Sequence, residues 1–526
     1  MNATQALELL ALPVAAVAVA ALARRCKVAS PLALVIAGLI ASEIPGVLDI
    51  RLDPEFVLYV FLPPLLFSAA WESSYFTLRD NIRPIALLSV GLVLFTTLAV
   101  GWVTHLVVPG LPLTAAFVLG ALIAPPDAVA AVSIAQRLGL PRRTVAILVG
   151  ESLFNDATAL TVFRVAVSAT VGETVTWLGG AGQFVYAAVA GAVVGLLLGP
   201  PLGWLRGKVG EDPIVETAIP LLTPFGAYLI AEAVHGSGVI AVVVSGLYLG
   251  HTFINSPARA RVLGFSLWPV LVFILESVVF LLIGLQLTTV LDGVSAWSWP
   301  TLMWYAVVVF VSTVVVRFLW VFPGTYLPAW LLREPLQDWR GPTVVAWAGM
   351  RGVVSLAAAF AIPMQTHDGK AFPDRSLLIF LTFTTVLGTL LVQGLTFPAL
   401  IRRLGIGDEK ERQADLVAFA GAQHAAGRSA LDRLSEVSGD ADEDIVERLR
   451  NMTEHRQLKA WERLGGGTGP EGEEVPTEVY RRLRLEMLAA ERATFIRLRD
   501  ERRIDDEVLQ RALQVLDLEE VMLTQP

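Results

Sequence analysis

Thirteen apolar stretches divided by short polar loops constrain this chain more than any other feature. They run at about 5–23, 30–45, 54–71, 84–108, 113–135, 144–169, 180–205, 213–234, 238–254, 263–288, 300–326, 342–363 and 376–404. In hydrocarbon every backbone N–H and C=O must find a partner within the protein, so stretches of this length are read as membrane helices. The loops supply an independent test. Arg24, Arg25 and Lys27, then Arg79 and Arg83, Arg137, Arg142 and Arg143, Arg206 and Lys208, Arg259 and Arg261, and Arg333 and Arg340 occupy every second loop. The loops between them hold only Arg51, Lys370 and Arg375. A miscounted crossing would break that alternation. It therefore supports thirteen crossings, with the N-terminus outside and the C-terminal tail in the cytoplasm.

Composition agrees. The chain of 526 residues is 55% hydrophobic and 17% charged, against roughly 25% charged in a soluble domain. Its charges are sparse up to Leu404 and dense, of both signs, from Gly405 onward. The net charge of −8 thus averages two unlike parts, a membrane domain over 1–404 and a cytosolic helical domain over 405–526. In the tail, helices are expected over 410–437, 441–463 and 476–523, with a flexible break at Gly465-Gly466-Gly467-Thr468-Gly469-Pro470. Leu483, Leu485, Met487, Leu488, Phe495, Ile496 and Leu498 make the last of these amphipathic. No basic, aromatic-interleaved patch suits a nucleic acid. The single cysteine, Cys26, excludes an intrachain disulfide and a cysteine-based metal site, and the six histidines do not cluster at ligand spacing. Residues 5–23 lack a basic leader region and read as a retained helix.

Thirteen segments divide into six, a linker and six of opposite orientation, the pattern of inverted-repeat transporters. The fifth and twelfth segments then correspond, and both are interrupted. Ala124-Pro125-Pro126-Asp127 breaks the fifth and Gly349-Met350-Arg351-Gly352 the twelfth. Asp127 is placed where a new half-helix begins, at its positive end. Arg351 is placed at the negative end of a half-helix that stops at Gly352. The fold expected is an all-α membrane protein with crossed discontinuous helices.

The chemistry is concentrated in Glu151-Ser152-Leu153-Phe154-Asn155-Asp156, inside the sixth segment. Glu151 with Asn155 and Ser152 with Asp156 are i,i+4 pairs, so the four polar residues share an arc of roughly 140° on one helix face. An intramembrane carboxylate costs about 2.5–3.5 kcal/mol even on insertion scales. Carboxylate, amide and hydroxyl oxygens together suit an alkali cation. Arg317, alone in the eleventh segment, requires a buried acid, and Glu151 is the expected partner. Arg164 is left between an ion pair and a position at the membrane edge. Glu276 is a candidate partner for a buried arginine or an outer part of the pathway, and Glu216 and Glu232 read as structural.

These residues carry a resemblance. Leu62-Pro63-Pro64-Leu65-Leu66-Phe67, Pro125-Pro126-Asp127-Ala128-Val129-Ala130, the Glu151–Asp156 motif, Phe280-Leu281-Leu282-Ile283-Gly284-Leu285 and Met350-Arg351-Gly352-Val353-Val354-Ser355 resemble, in order, motifs of the sodium/proton exchangers with an Asn-Asp pair. The resemblance implies a homodimer of thirteen-helix subunits with a mobile core domain and crossed fifth and twelfth helices. Asp156 matches the carboxylate that binds Na+ and H+ in turn. Ser152 and Glu151 match residues that complete or organise that site, with Ser152 and Asp156 as Na+ ligands. Asn155 stands where electrogenic relatives carry a second aspartate, which implies electroneutral one-for-one exchange. Arg317 matches the arginine that pairs with the motif glutamate, and Asp127 and Arg351 match charges at the helix crossing. Two positions depart from the pattern: Pro126 supplies no hydroxyl before Asp127, and Ser68 stands where many relatives have an acid.

The implied activity is secondary antiport of Na+, or of Li+ or K+, against H+ across the plasma membrane, serving pH and sodium homeostasis. No cofactor is implied beyond the transported ions, and the lipid bilayer is the partner. A K+/H+ antiporter with the same site is the alternative. An intramembrane hydrolase lacks a second matching aspartate motif or a serine with a partnered histidine. A channel or receptor does not call for broken helices of opposite charge.

Overall fold

The computed structural model describes residues 3–26, 30–44, 57–127, 131–132, 134–135, 138–172, 176–209, 212–333, 338–406, 409–439, 442–462 and 476–524. Among them the regular structure is helical, apart from one isolated bridge between Gln365 and Ala371. The chain divides into two compact units, Met1–Gly407 and Asp408–Pro526.

Helix occupies every apolar stretch of the first unit. Among the described residues, eight helices are long and apolar enough to cross a membrane: Ile82–Val107, Arg142–Val171, Gly179–Lys208, Pro213–Ala233, Gly238–Asn255, Ala258–Gly293, Trp299–Leu331 and Arg375–Leu404. Ser30–Ser42, Leu58–Glu72 and Leu113–Ile123 are shorter apolar helices, and Ala3–Arg25 precedes them. The sequence sets several boundaries directly. Asp212 caps the helix beginning at Pro213 by accepting from the Ile214 N–H at 2.9 Å. Ser237 does the same for Gly238–Thr252 through the Ile240 N–H. At the far end of Arg142–Val171, Gly172 takes φ 104°, a left-handed stop that costs glycine nothing.

Small residues set the helix spacing. A Cβ on Gly284 would overlap the Val35 carbonyl and the Gly38 backbone, so Ser30–Ser42 lies directly on Ala258–Leu285. Such approaches replace the hydrophobic drive that lipid does not supply. A buried cluster including Leu119, Leu122, Leu356, Phe380 and Phe383 surrounds the two interrupted helices.

Those interruptions are real, and one is displaced from its expected position. The first half-helix, Leu113–Ile123, ends at Ala124. Residues 128–130, where the continuation after Asp127 was expected, lie outside the described residues, as do Arg137, Lys27 and Arg51. In the twelfth stretch the half-helix is Arg340–Trp347 and the next begins at Val353. It stops before Gly349, not at Gly352, which leaves Arg351 in extended chain beyond it.

The second unit holds Glu409–Val437, Glu443–Glu462, Pro476–Asp500 and Asp506–Thr524; the glycine-rich break at 465–470 is outside the described residues. The single helix expected over 476–523 is instead a hairpin. The chain reverses after Asp500, with Arg502 at φ 58°, and Arg484 meets Glu519 while Arg492 meets Asp517 and Glu520. A lone rod could not bury its apolar stripe, whereas the hairpin buries Leu488, Leu509 and Leu516. Leu483 and Met487 stay exposed.

Two outcomes follow. Gly284→Val, which drives a side chain into the Val35 carbonyl, should destabilise the detergent-solubilised protein by about 1–3 kcal/mol or more, whereas Gly226→Ala, with nothing within 4 Å, should melt as the parent does; thermal unfolding followed by size-exclusion chromatography separates them. In the hairpin, the hydrogen bond from Arg484 holds the Glu519 carboxyl below its ordinary 4.5. Because the folded value is the lower one, that stabilisation is complete above pH 4.5 and is lost as pH falls through the folded value. Hydrogen exchange of 476–524 in the full chain should lose protection in that window, and Glu519→Gln should remove this part of the pH dependence.

Candidate functional site

Two broken helices and one continuous helix make the site. Pro125 and Pro126 withhold amide donors, so the last carbonyls of Leu113–Ile123 have no helical partner. The chain then crosses the second break, where the Asp127 N–H donates to the Met350 carbonyl at 2.7 Å. A Cβ at Gly352 would overlap the Asp127 carboxylate, so glycine is what permits this approach.

Each half-helix ends on a guanidinium. Arg351 donates from Nε to the Ile123 carbonyl at 2.7 Å and from Nη1 to the Gly349 carbonyl. Its own N–H donates to Thr389 Oγ1 at 3.0 Å. Arg317 donates from Nε and Nη2 to the Val345 carbonyl at 3.1 and 3.0 Å. Arg351 therefore serves the negative end of Leu113–Ile123 and not that of its own preceding half-helix. The early stop at Trp347 is the reason, because it leaves Arg351 free to cross. Both arginines lie against Gly349, where any Cβ would strike them.

The continuous helix, Arg142–Val171, supplies the acids. Glu151, 1% exposed, takes Arg317 in a two-pronged pair, Nη1 to Oε1 at 2.6 Å and Nη2 to Oε2 at 2.8 Å. Asn155 is fully buried and donates from Nδ2 to the Pro126 carbonyl at 2.7 Å, which joins this helix to the first break. Its Oδ1 is buried with no hydrogen-bond partner among the described residues. Asp156 is buried as well and carries no hydrogen bond or ion pair among the described residues; Asp127 is its charged neighbour. Ser152, one turn earlier on the same face, is half-buried. A buried carboxylate with no counter-ion among the described residues calls for a proton or a cation, and Asn155, the residue before it, carries an uncharged acceptor.

The other acids have separate positions. Arg164 Nη2 donates to both Glu232 oxygens, at 3.1 and 2.9 Å, which resolves its alternatives in favour of an ion pair. Glu216 pairs with Arg206 at 3.6 Å, and the Arg206 guanidinium also lies 5.2 Å from the Phe253 ring centroid. Glu276 is partly buried, with Oε1 unpartnered among the described residues. Sequence reasoning missed Thr389, and it read Gly349 only as part of the second break. Thr389 carries no distinguishing signal among the many threonines of 382–396, whereas Gly349 beside Arg351 could have been read as room for a guanidinium.

Three comparisons bear on this arrangement. Residues 13–403 match the family described as sodium/hydrogen exchanger, transmembrane. An uncharacterized Na+/H+ exchanger of Mycobacterium tuberculosis is 35% identical over 538 residues, covering 98% of this chain and 96% of that one. A sodium, potassium, lithium and rubidium/H+ antiporter of Bacillus pumilus is 30% identical over 439 residues, covering 80% of this chain and 64% of that one. In fold, the chain is similar to the sodium proton antiporter MjNhaP1 of Methanocaldococcus jannaschii, with a TM-score of 0.61 at 22% identity over 76% of this chain and 97% of that one.

The double role of Arg317 gives an ordered set of stabilities. Glu151→Gln, which leaves a buried guanidinium unpaired, should cost about 3–5 kcal/mol. Arg317→Met should cost more, because it also uncaps Val345, and the double variant should cost less than the sum of the two. Thermal melts of the four purified proteins test the order; additive losses would remove the coupling.

Proposed function

The chain belongs to the sodium/hydrogen exchanger family, and from that premise we propose that Asp156 is the carboxylate at which a monovalent cation and a proton displace one another. The family fixes the coarser activity. The protein is a multi-pass membrane transporter that exchanges monovalent cations for protons, not an enzyme, and it needs no cofactor beyond the ions it carries. The observation that supports the finer reading is the buried Asp156 side chain, which has no hydrogen bond or ion pair among the described residues, following Asn155, whose buried Oδ1 is likewise unpartnered among them.

Na+ is the cation of the reading, held by Asp156 and Ser152, with Asn155 as a neutral neighbour. Glu151 does not bind the ion. Its charge is committed to Arg317, and the two together hold the helix register that presents Asp156. Asp127 and Arg351 hold the crossing. An ion and a proton cannot share one carboxylate, and only the neutralised site crosses the low-dielectric interior cheaply. One carboxylate that changes partner, with a neutral asparagine next to it, moves one charge each way. Exchange is then electroneutral, Na+ for H+ one to one. The broad cation range in the name of the Bacillus pumilus relative favours keeping Li+ and K+ as further substrates. The remaining expectations complete the reading: thirteen crossings in two inverted halves, an outside N-terminus, a homodimer in the cell membrane, and a cytosolic tail from residue 405.

The deciding experiment is proton flux in proteoliposomes against imposed Na+, Li+ and K+ gradients. Asp156→Asn should abolish cation-dependent flux while the protein remains monodisperse, and retained flux would move the site elsewhere. In the parent, clamping the voltage with valinomycin should leave the Na+-driven rate equal to that of a control with the same K+ on both sides and no valinomycin.

A further inference from the structure

The helix that presents Asp156 continues past it, and its later turns line a pocket that the exchange site does not use. Leu160, Thr161 and Arg164 form one wall, and Gln183, Glu232 and His235 face them. The room inside, about 30 Å³, exceeds what a water needs, and charged and polar side chains line it. Arg164 lies eight residues beyond Asp156, about 12 Å along the helix. The pocket wall extends back to Ala157, next to Asp156 in the chain.

The Arg164–Glu232 pair bridges two differently anchored layers. Glu232 belongs to a layer in which the Tyr186 hydroxyl donates to the Val234 carbonyl at 2.9 Å and the Ser237 N–H donates to the Ala187 carbonyl at 2.8 Å. Arg164 belongs to the helix tied to the crossing through Glu151 and Asn155. The pair is also built differently from that at Glu151. A single nitrogen of Arg164 straddles the carboxylate, and the side chains are 49% and 19% exposed, against 1% and 2% for Arg317 and Glu151. A half-exposed, single-nitrogen pair is weak enough to be replaced by another cation.

We propose that Arg164 and Glu232 close this side of the route to Asp156, and that an arriving monovalent cation takes the place of Arg164 on the Glu232 carboxylate before it passes inward. Glu232 is then an outer loading site, and Arg164 its resident counter-ion between arrivals. The inference rests on Asp156 as the destination, but access to the pocket can be measured without transport.

The probe is Thr161→Cys in the full chain with Cys26→Ser, reconstituted in one orientation and treated with a membrane-impermeant maleimide from the side of Val171. Arg164→Gln and Glu232→Gln should each raise the labelling rate about five-fold, the scale of losing a half-exposed ion pair. The charge-swapped Arg164→Glu/Glu232→Arg protein should return it to the parent rate. Na+ should speed labelling in the parent and have no effect in Glu232→Gln. Equal labelling in parent, both single variants and the swap would overturn the proposal, as would a Na+ response that survives Glu232→Gln. Running the series in Asp156→Asn separates the two readings: the labelling pattern tests the gate, and residual exchange tests Asp156.

Discussion

The last carbonyls of a helix broken inside a membrane protein have neither water nor a following turn to satisfy them, and the site depends on how this chain meets that need. Two guanidinium groups take the carbonyls of Ile123 and Val345. Bringing two buried cations against Gly349 creates a second need, for negative charge, and Glu151 meets it. Pairing with Arg317 fixes the rotation of Arg142–Val171 about its axis, and Asn155 fixes it again through the Pro126 carbonyl. With that rotation set, Asp156 has to face the crossing. The Asp156 carboxylate is thus positioned by hydrogen bonds made by its neighbours while it keeps none among the described residues.

Three ion pairs seen among the described residues of the membrane helices differ in their surroundings. Glu151–Arg317 and Glu216–Arg206 have side chains no more than 4% exposed. Separating either would leave a charge uncompensated in a medium where that costs several kcal/mol. Arg206 is further held by the Leu249 carbonyl and by Thr252. Arg164–Glu232 can open at small cost because solvent reaches it. On the proposed mechanism, alternating access needs rigid parts and a yielding contact between them, and these pairs are suited to those two roles.

Much of this was readable before any coordinates. Helix periodicity alone relates Glu151, Ser152, Asn155 and Asp156, because a continuous helix leaves no freedom in their mutual placement. The paired prolines mark the first break for a covalent reason. The Arg317 partner followed from the cost of an unpaired guanidinium. What escaped depends on tertiary context. Gly349 and Gly352 are both local stop signals and nothing in the sequence chooses between them, so the reach of Arg351 to Ile123 was hidden. The turn after Asp500 contains neither glycine nor proline, and only the apolar seam of Leu488, Leu509 and Leu516 makes the hairpin necessary. The partner of Arg164 lies on a helix whose rotation the sequence leaves open.

Asn155 links the geometry to the charge moved in each cycle. Its Nδ2 is committed to the Pro126 carbonyl, and the same amide then has to turn its oxygen away from that carbonyl, where it is buried and unpartnered among the described residues. An ionised aspartate here would set a carboxylate against a carbonyl oxygen, and the bond that joins the helix to the break would become a repulsion. Asparagine supplies the donor that closes the structure and an uncharged acceptor whatever the pH, whereas an aspartate could donate only while protonated. On the proposed mechanism, the amide that closes the structure at position 155 also leaves Asp156 as the carboxylate that exchanges its partner. Electroneutral exchange is then a consequence of how the first broken helix is held.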